Sequence, residues 1–276
     1  MKVTEKPSSS YSGAMTPASI ELKAERVAAT KAATEPLNAF VLAILAGFFV
    51  AMGATFMLVV KCDGTLPFAA TQLLGGFSFT LGLFLILAAG AELFTGNCLM
   101  VMGPLSRRFA WPDLLKSWLV VIVGNFCGSV LAALLLLGAQ AASANGGAFG
   151  EAAVAVAATK AALPWATVFF RGILCNILVC LAVWCGHAST NVADKFFAAL
   201  LPVMAFMGAG FEHCVANMFF LPYGLMLQAA GVGSGAITLG GVCSNLSAAI
   251  LGNLVGGVAL GIVYWFVYGK NRAEKE

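Results

Sequence analysis

The sequence predicts an all-α membrane protein with six transmembrane helices, of which the second and the fifth are broken. Of its 276 residues, 61% are hydrophobic and 10% are charged, whereas soluble domains carry about 25% charged residues. The charges cluster in the first 35 residues, in short connections and in the last seven residues. Between them run apolar stretches long enough to cross a bilayer as helices, which need about 20 residues each. We therefore expect an integral, multi-pass membrane protein.

Three parts follow from this distribution: a cytoplasmic N-terminal segment over residues 1–35, a transmembrane domain over 36–269 and a cytoplasmic tail over 270–276. The N-terminal segment has no apolar run of the kind that a cleavable signal peptide contains. Residues 19–34 have a helix-forming composition, and Ser19 can cap such a helix. A short surface helix is therefore expected before the first span.

The six predicted spans are the apolar stretches at about residues 37–60, 68–106, 112–138, 163–187, 196–228 and 245–268. The second is too long for one crossing and is interrupted at 90–97, and the fifth is interrupted at 208–213. Each interruption contains a glutamate, Glu92 or Glu212, and a carboxylate at membrane depth is costly. Irregular backbone at that depth is tolerated where it lines a cavity. The two breaks are thus expected to face a polar pathway.

Internal similarity relates two halves of the transmembrane domain, which span about residues 37–138 and 163–268. A Gly-Asn-x-x-Gly run at 124–128 recurs at 252–256. The run that starts at Glu92 matches the run that starts at Glu212, with an asparagine five positions later in both. Because each half has three spans, the halves must be inverted in the membrane. Paired interrupted segments in inverted halves indicate a site near the bilayer midplane.

Two roles are open for Asn125 and Asn253, the asparagines of the Gly-Asn-x-x-Gly runs. The small residues at i and i+4 let helices approach closely, and the amide side chains can hold backbone groups that are freed at the breaks. A direct contact with a transported molecule is the alternative.

Basic residues predict the orientation of the chain. If both termini are cytoplasmic, twelve lysines and arginines lie inside and two, Lys61 and Lys160, lie outside. This bias fits the positive-inside rule. Arg171 falls within a span, where we expect it to serve a helix contact or the lipid interface.

The polar side chains in and beside the breaks are mostly hydrogen-bond donors, which favours an anion over a cation. The proposed lining consists of Glu92, Thr95, Lys160, Asn176, Glu212 and His213. We expect the two glutamates to accept hydrogen bonds from backbone N–H groups in the breaks, as parts of the scaffold. An ionisable residue inside a membrane is functional by default, so His213 is the leading candidate for the chemistry.

Desolvation decides which anions can pass such a site. A bare anion in a low-dielectric constriction is strongly destabilised, and Lys160 can offset part of that cost. A weak acid has a second route, because desolvation favours its protonated form. Histidine titrates near neutrality, so His213 is the predicted proton donor or relay. Phe79 and Phe206 precede the breaks and can form a hydrophobic gate.

Two other classes of protein are alternatives to an anion channel. A pore for a neutral solute, such as water or glycerol, is compatible with six broken spans. An intramembrane enzyme or a haem carrier is disfavoured, because the sequence has no His-Glu-x-x-His motif and its two histidines are expected at different depths. The eight cysteines contain no Cys-x-x-Cys pair and are expected to pack as small hydrophobes. We expect no enzymatic activity, no cofactor, no metal and no nucleic-acid partner.

In these same segments the chain resembles the formate/nitrite transporter family. The resemblance covers about residues 36–268 and is carried by three strings in order, Ala91–Asn97, Asn176–Trp184 and Gly210–Met218. It implies an aquaporin-like fold and a homopentamer in the cell inner membrane, with one pore in each protomer.

The resemblance also implies roles for individual residues. The constrictions match Leu93, Phe94 and Thr95 in the loop of the second segment, Leu83 and Val179 in a cytoplasmic slit, and Phe79 and Phe206 in an outer slit. The polar set of the central chamber matches Lys160, Asn176, Glu212 and His213, and Asn217 is added to the substrate pathway. The family further implies that Glu212 polarises Lys160 or its surroundings.

Members of the family carry formate, nitrite, hydrosulfide, or acetate and lactate. The resemblance therefore implies a channel for small monovalent weak-acid anions, with transient protonation by His213. We rank formate first, nitrite second and hydrosulfide third. Some formate channels of the family have Thr-Ser-Thr where this chain has Thr95-Gly96-Asn97, so the other two anions stay open.

Overall fold

The computed structural model describes residues 15–270, and every regular element in that range is helical. The helices are α1 Pro17–Ala32, α2 Pro36–Lys61, α3 Phe68–Leu85, α4 Phe94–Asn97, α5 Met102–Leu105, α6 Trp111–Gly138, α7 Ala148–Ala161, α8 Trp165–Ala188, α9 Val192–Gly208, α10 Cys214–Ala229 and α11 Leu239–Tyr264. Short 3-10 turns cover Cys98–Val101 and Ala141–Gly147, and π-helical turns cover Ile86–Gly90 and Trp265–Gly269.

Six crossings of the membrane are built from these helices. Within the described range, five stretches are each long and apolar enough to span it, namely Pro36–Lys61, Phe68–Gly90, Trp111–Gly138, Trp165–Ala188 and Leu239–Gly269. The remaining crossing is divided between α9 and the shorter apolar α10. The second crossing also breaks, after Gly90, and resumes as α4. The predicted fold class, with broken second and fifth crossings, is therefore confirmed.

One local expectation was wrong. The cap of α1 is Thr16 rather than Ser19, and its hydroxyl accepts a hydrogen bond from the backbone N–H of Ser19 at 3.3 Å. The connection between the third and fourth spans contains α7, an alanine-rich helix with Lys160 in its last turn. Alanine has the highest helix propensity, which explains why this connection is ordered.

Close helix crossings occur at the glycines of the Gly-Asn-x-x-Gly runs, as expected. A Cβ atom added to Gly128 would overlap the carbonyl oxygen of Ile44 on α2. A Cβ atom added to Gly256 would overlap the carbonyl oxygen of Ile173 on α8. The third span therefore packs on the first as the sixth packs on the fourth, which is the arrangement that two related halves require.

Helix α1 is anchored to the membrane domain. The Glu25 carboxylate, only 1% exposed, forms an ion pair of 3.2 Å with Arg108 and a short hydrogen bond with the Ser106 hydroxyl. This face of α1 is therefore buried rather than merely resting on the surface. Of the predicted terminal segments, residues 1–14 and 271–276 lie outside the described range.

Candidate functional site

The first break is held open by one buried asparagine. After Gly90, whose φ is +78°, the helical hydrogen bonding stops and resumes at Phe94. The Oδ1 atom of Asn125 accepts from the Phe94 N–H at 2.9 Å. Its Nδ2 atom donates to the carbonyls of Glu92 and Ala43, both at 2.8 Å. Asn125 thus replaces hydrogen bonds that the interrupted helix has lost, as backbone groups at membrane depth require.

The second break uses the same device. Gly210 has φ +69°, and α10 begins after His213. The Oδ1 atom of Asn253 accepts from the Cys214 N–H at 2.8 Å, and its Nδ2 atom donates to the carbonyls of Glu212 at 2.9 Å and Gly172 at 2.8 Å. The scaffold role is therefore confirmed for both asparagines.

Each break also carries a glutamate held by a lysine and an asparagine. Lys160 Nζ lies 3.0 Å from both carboxylate oxygens of Glu212, and Asn217 Nδ2 donates to Oε2 at 2.6 Å. The expectation that the glutamates accept backbone N–H groups was wrong for Glu212, whose carboxylate is 3% exposed and bound by side chains. Backbone donors are not needed because a cationic partner satisfies the carboxylate better.

The matching arrangement around Glu92 reveals a residue that the sequence analysis missed. Lys31 Nζ, from α1, lies 3.0 Å from Glu92 Oε2, and Asn97 Nδ2 donates to the same oxygen at 2.7 Å. Here too the carboxylate binds side chains, so the backbone expectation was wrong. The sequence does contain a pattern that indicates Lys31. Residues 27–33 are identical to residues 156–162, so Lys31 has the same position in its run as Lys160 has in the second one.

The two halves meet at a contact between His213 and Thr95. The Nδ1 atom of His213 accepts from the Ala216 N–H at 3.1 Å, and Nε2 lies 3.0 Å from the Thr95 hydroxyl. Because Nδ1 accepts, the neutral ring carries its proton on Nε2 and donates it to Thr95. Asn176 Nδ2 donates to the Thr95 carbonyl at 3.2 Å. His213 is 4% exposed, and Thr95 and Asn176 are fully buried.

Apolar residues surround this contact. The ring of Phe206 stacks on His213 at 5.9 Å, and Phe79 meets Phe206 edge-on at 6.0 Å. The other residues predicted for the constrictions are also buried, at 5% exposure or less: Leu83, Leu93, Phe94 and Val179. The expected gate pair Phe79 and Phe206 therefore lies against the central histidine.

Two open cavities approach the centre from opposite ends, and we name each after its neighbouring helix. The α1 mouth, about 610 Å³, is lined by Lys23, Lys31, Lys195 and Glu92 among others, and also by Leu93. The α7 mouth, about 370 Å³, is lined by the four charged residues Lys61, Lys160, Arg171 and Glu212. Among residues 15–270, each mouth has three lysine or arginine cations and one carboxylate. Arg171 borders this cavity, contrary to the expected helix or lipid contact.

The predicted polar site residues thus fall into three groups. Lys160, Glu212 and Asn217 form the polar cluster at the α7 mouth, and Thr95, Asn176 and His213 form the buried centre. Glu92 lies at the α1 mouth. Within residues 15–270, no three His, Cys, Asp or Glu side chains come together as a metal site would require.

Inverted halves whose broken helices meet at a buried polar centre, between two cationic mouths, define a membrane channel or transporter. Comparison with known proteins supports this class. The formate/nitrite transporter family profile matches residues 18–266. The formate channel FocA of Escherichia coli is 36% identical over 268 residues, which cover 91% of this chain and 94% of that protein. The chain belongs to the formate/nitrite transporter family and is not an enzyme.

Solved structures agree in fold. A pentameric formate channel with formate bound superposes with a TM-score of 0.77 at 34% identity, covering 84% of this chain and 97% of that one. An aquaglyceroporin from Plasmodium falciparum superposes with a TM-score of 0.51 at 15% identity, covering 88% and 100%. The second likeness concerns the fold alone, and the aquaporin-like architecture is therefore confirmed.

Proposed function

We propose that the protein is a channel for small monovalent weak-acid anions, with formate as the first candidate substrate. The contact between His213 and Thr95 carries this proposal, because it places a titratable ring and a hydroxyl at the meeting point of the two breaks. The resemblance to proteins named as formate channels supports formate, and the family's name keeps nitrite as the second candidate.

Attraction is the first step. Each mouth holds three cations against one carboxylate, which is a formal excess of two positive charges. Clefts lined by one sign of charge raise the local concentration of the opposite ion. Lys160 and Lys31 are each paired with a glutamate, so they hold their positions near the breaks while the remaining cations supply the excess.

Neutralisation is the second step. Between the mouths, Phe79, Phe206 and Leu93 exclude water, so an anion there must be compensated or protonated. The hydroxyl of Thr95 accepts from His213 Nε2, which leaves its own O–H group free to be donated to the anion. A carboxylic acid or nitrous acid is favoured over its anion in this surrounding.

A proton relay through His213 sets a structural condition. If the anion takes the Thr95 proton and Thr95 takes the Nε2 proton, Nδ1 must gain a proton from a hydronium ion of the entry-side solution, so that the ring stays neutral as its Nδ1–H tautomer. Nδ1 accepts the Ala216 N–H at the start of α10, so this capping bond must open during the transfer. The cap closes again when the ring has exchanged protons with water, losing the one at Nδ1 and regaining one at Nε2.

We also propose the assembly and orientation. Large apolar side chains on the outer helix faces, such as Leu119, Phe197 and Leu201, suit contact with lipid or with neighbouring protomers of a homopentamer. Eight basic residues of the described range lie toward the α1 end and three lie toward the α7 end, a bias that supports a cytoplasmic location for α1 and for both termini under the positive-inside rule.

A substrate panel in liposomes tests the function. We expect formate uptake, then nitrite and hydrosulfide uptake, to exceed that of empty liposomes and to increase as the external pH falls. Rapid water flow in an osmotic gradient without anion uptake would instead favour the neutral-solute pore.

A further inference from the structure

Arg171 places a third cation at the α7 mouth, at the edge of the inner face of α8. Of its neighbours one helical turn away, Val168 and Cys175 are both 0% exposed, whereas Leu174 is 48% exposed. The adjacent Phe170 is 63% exposed and lies on the outer face. The carbonyl of Arg171 accepts the Glu212 N–H at 3.5 Å, so the residue borders the second break.

The guanidinium of Arg171 has no hydrogen bond or ion pair within residues 15–270. Glu212, the carboxylate of this mouth, is already held by Lys160, Asn217 and Asn245. A half-buried cation with no anionic partner is destabilising unless an anion or water compensates it.

Lys61 is the second cation of the same mouth that has no ion pair in the part of the chain that the structure describes. Its Nζ atom donates to Gln72 Oε1 at 2.7 Å, and Gln72 Nε2 donates to the Gly208 carbonyl at 3.0 Å. The amide positions the ammonium group without neutralising it. Lys61 is therefore tied to the end of α9, where the second break begins.

The repeat shows that the scaffold itself does not require Arg171. In the first half, the Glu92 N–H is accepted at 3.2 Å by the carbonyl of Leu42, which lines the α1 mouth. The Arg171 carbonyl therefore accepts the glutamate N–H of its break as the Leu42 carbonyl does in the other half. The guanidinium group of Arg171 has no equivalent at Leu42.

We propose that Arg171 and Lys61 form an anion-binding site at the α7 mouth, separate from the His213 centre, which takes a planar oxyanion such as a carboxylate or nitrite. The choice of substrate class rests on the proposed function. A guanidinium binds two oxygens in one plane through parallel hydrogen bonds, whereas hydrosulfide has a single acceptor atom. The site holds the anion beside Lys160 before it passes Phe206.

Chemical modification of Arg171 tests the site without requiring transport. Phenylglyoxal reacts with arginine, and the fraction of modified Arg171 is measured by peptide mass spectrometry on the full-length protein. At constant ionic strength, formate and nitrite slow this modification, and hydrosulfide is about tenfold less protective. Modification of Arg107 is the internal control and is unaffected by formate.

Variants then assign the contacts. Lys61→Met raises the formate concentration that gives half-protection by about three- to tenfold, whereas Lys195→Met, in the α1 mouth, leaves it unchanged. Absence of protection by formate in the wild-type protein, or equal protection by hydrosulfide, overturns the proposal.

Transport in oriented vesicles separates this proposal from the channel function. Arg171→Met raises the half-saturating formate concentration for uptake from the α7 side by about three- to tenfold, and Arg171→Lys restores it only in part. In both variants, the half-saturating formate concentration for uptake from the α1 side stays the same. Protection of Arg171 without any formate flux refutes the channel and keeps the site, whereas formate flux without protection refutes the site alone.

Discussion

At each break, an asparagine from a neighbouring span holds the interrupted backbone, and a lysine holds the glutamate that precedes the new helix. The residue that follows the glutamate differs, because it is Leu93 in the first break and His213 in the second. Two positions later the difference reverses, with Thr95 in the first break and Val215 in the second. Each half therefore contributes one polar residue, and the pair forms where the halves meet. The residues that repeat in both halves form the scaffold, and the positions at which the two halves differ form the site.

Removing either scaffold asparagine is expected to have the largest effect. Asn125→Leu and Asn253→Leu each remove three hydrogen bonds and leave two buried backbone groups of the break, an N–H and a carbonyl, without partners, which should lower the free energy of unfolding by about 3 kcal/mol. Denaturant titration in micelles measures it. Asn38→Leu, at an exposed position, is the control. A loss in only one of the two variants would mean that the breaks are not equivalent.

Replacing His213 by leucine, the residue at the matching position of the first break, should remove the proton relay without unfolding the protein. His213→Leu is expected to reduce formate flux in liposomes about a hundredfold, because the proton relay is lost. The control Leu93→Met conserves volume at the matching position and should retain most of the flux. Equal losses in both variants would indicate a packing effect instead.

The Thr95 hydroxyl should matter less than the ring it contacts. Thr95→Val keeps the shape and removes the donor to the anion, so flux should fall about tenfold. Thr95→Ser keeps the hydroxyl and should remain near the wild-type value. A serine variant as impaired as the valine variant would argue against the hydrogen bond.

The matched ion pairs should give the smallest effects, and similar ones at both mouths. Lys31→Met/Glu92→Gln and Lys160→Met/Glu212→Gln each remove one positive and one negative charge, so the excess of two cations persists. We expect flux to fall about threefold in each and to depend on ionic strength as before. A much larger loss at one mouth would show that its lysine contacts the anion directly.

The sequence could predict the features that depend on local pattern. Apolar length defined the spans, and the glutamates with their flanking glycines located both breaks. The repeated Gly-Asn-x-x-Gly runs indicated the close helix crossings. Lys31 was missed although its seven-residue run recurs around Lys160, because both copies of the run lie outside the apolar spans that mark the two halves.

Contacts between the halves could not be read from the sequence. Thr95 and His213 are 118 positions apart, and no local period links them. The partners of Glu212 also come from α7, α10 and α11, so only the packed fold shows that side chains rather than backbone groups satisfy it. Arg171 was expected at a helix or lipid contact. The sequence of its own segment does not show which face of the helix borders the cavity, because that depends on how the other helices pack around it.

Simultaneous recording of formate uptake and internal pH in liposomes most directly tests the proposed transient protonation at the centre. A formate pulse at constant external pH should acidify the interior of wild-type liposomes, because each anion crosses together with a proton, and His213→Leu should reduce both signals about a hundredfold. Formate uptake in the wild-type protein without internal acidification would contradict protonation at His213 and leave the bare anion as the permeating species.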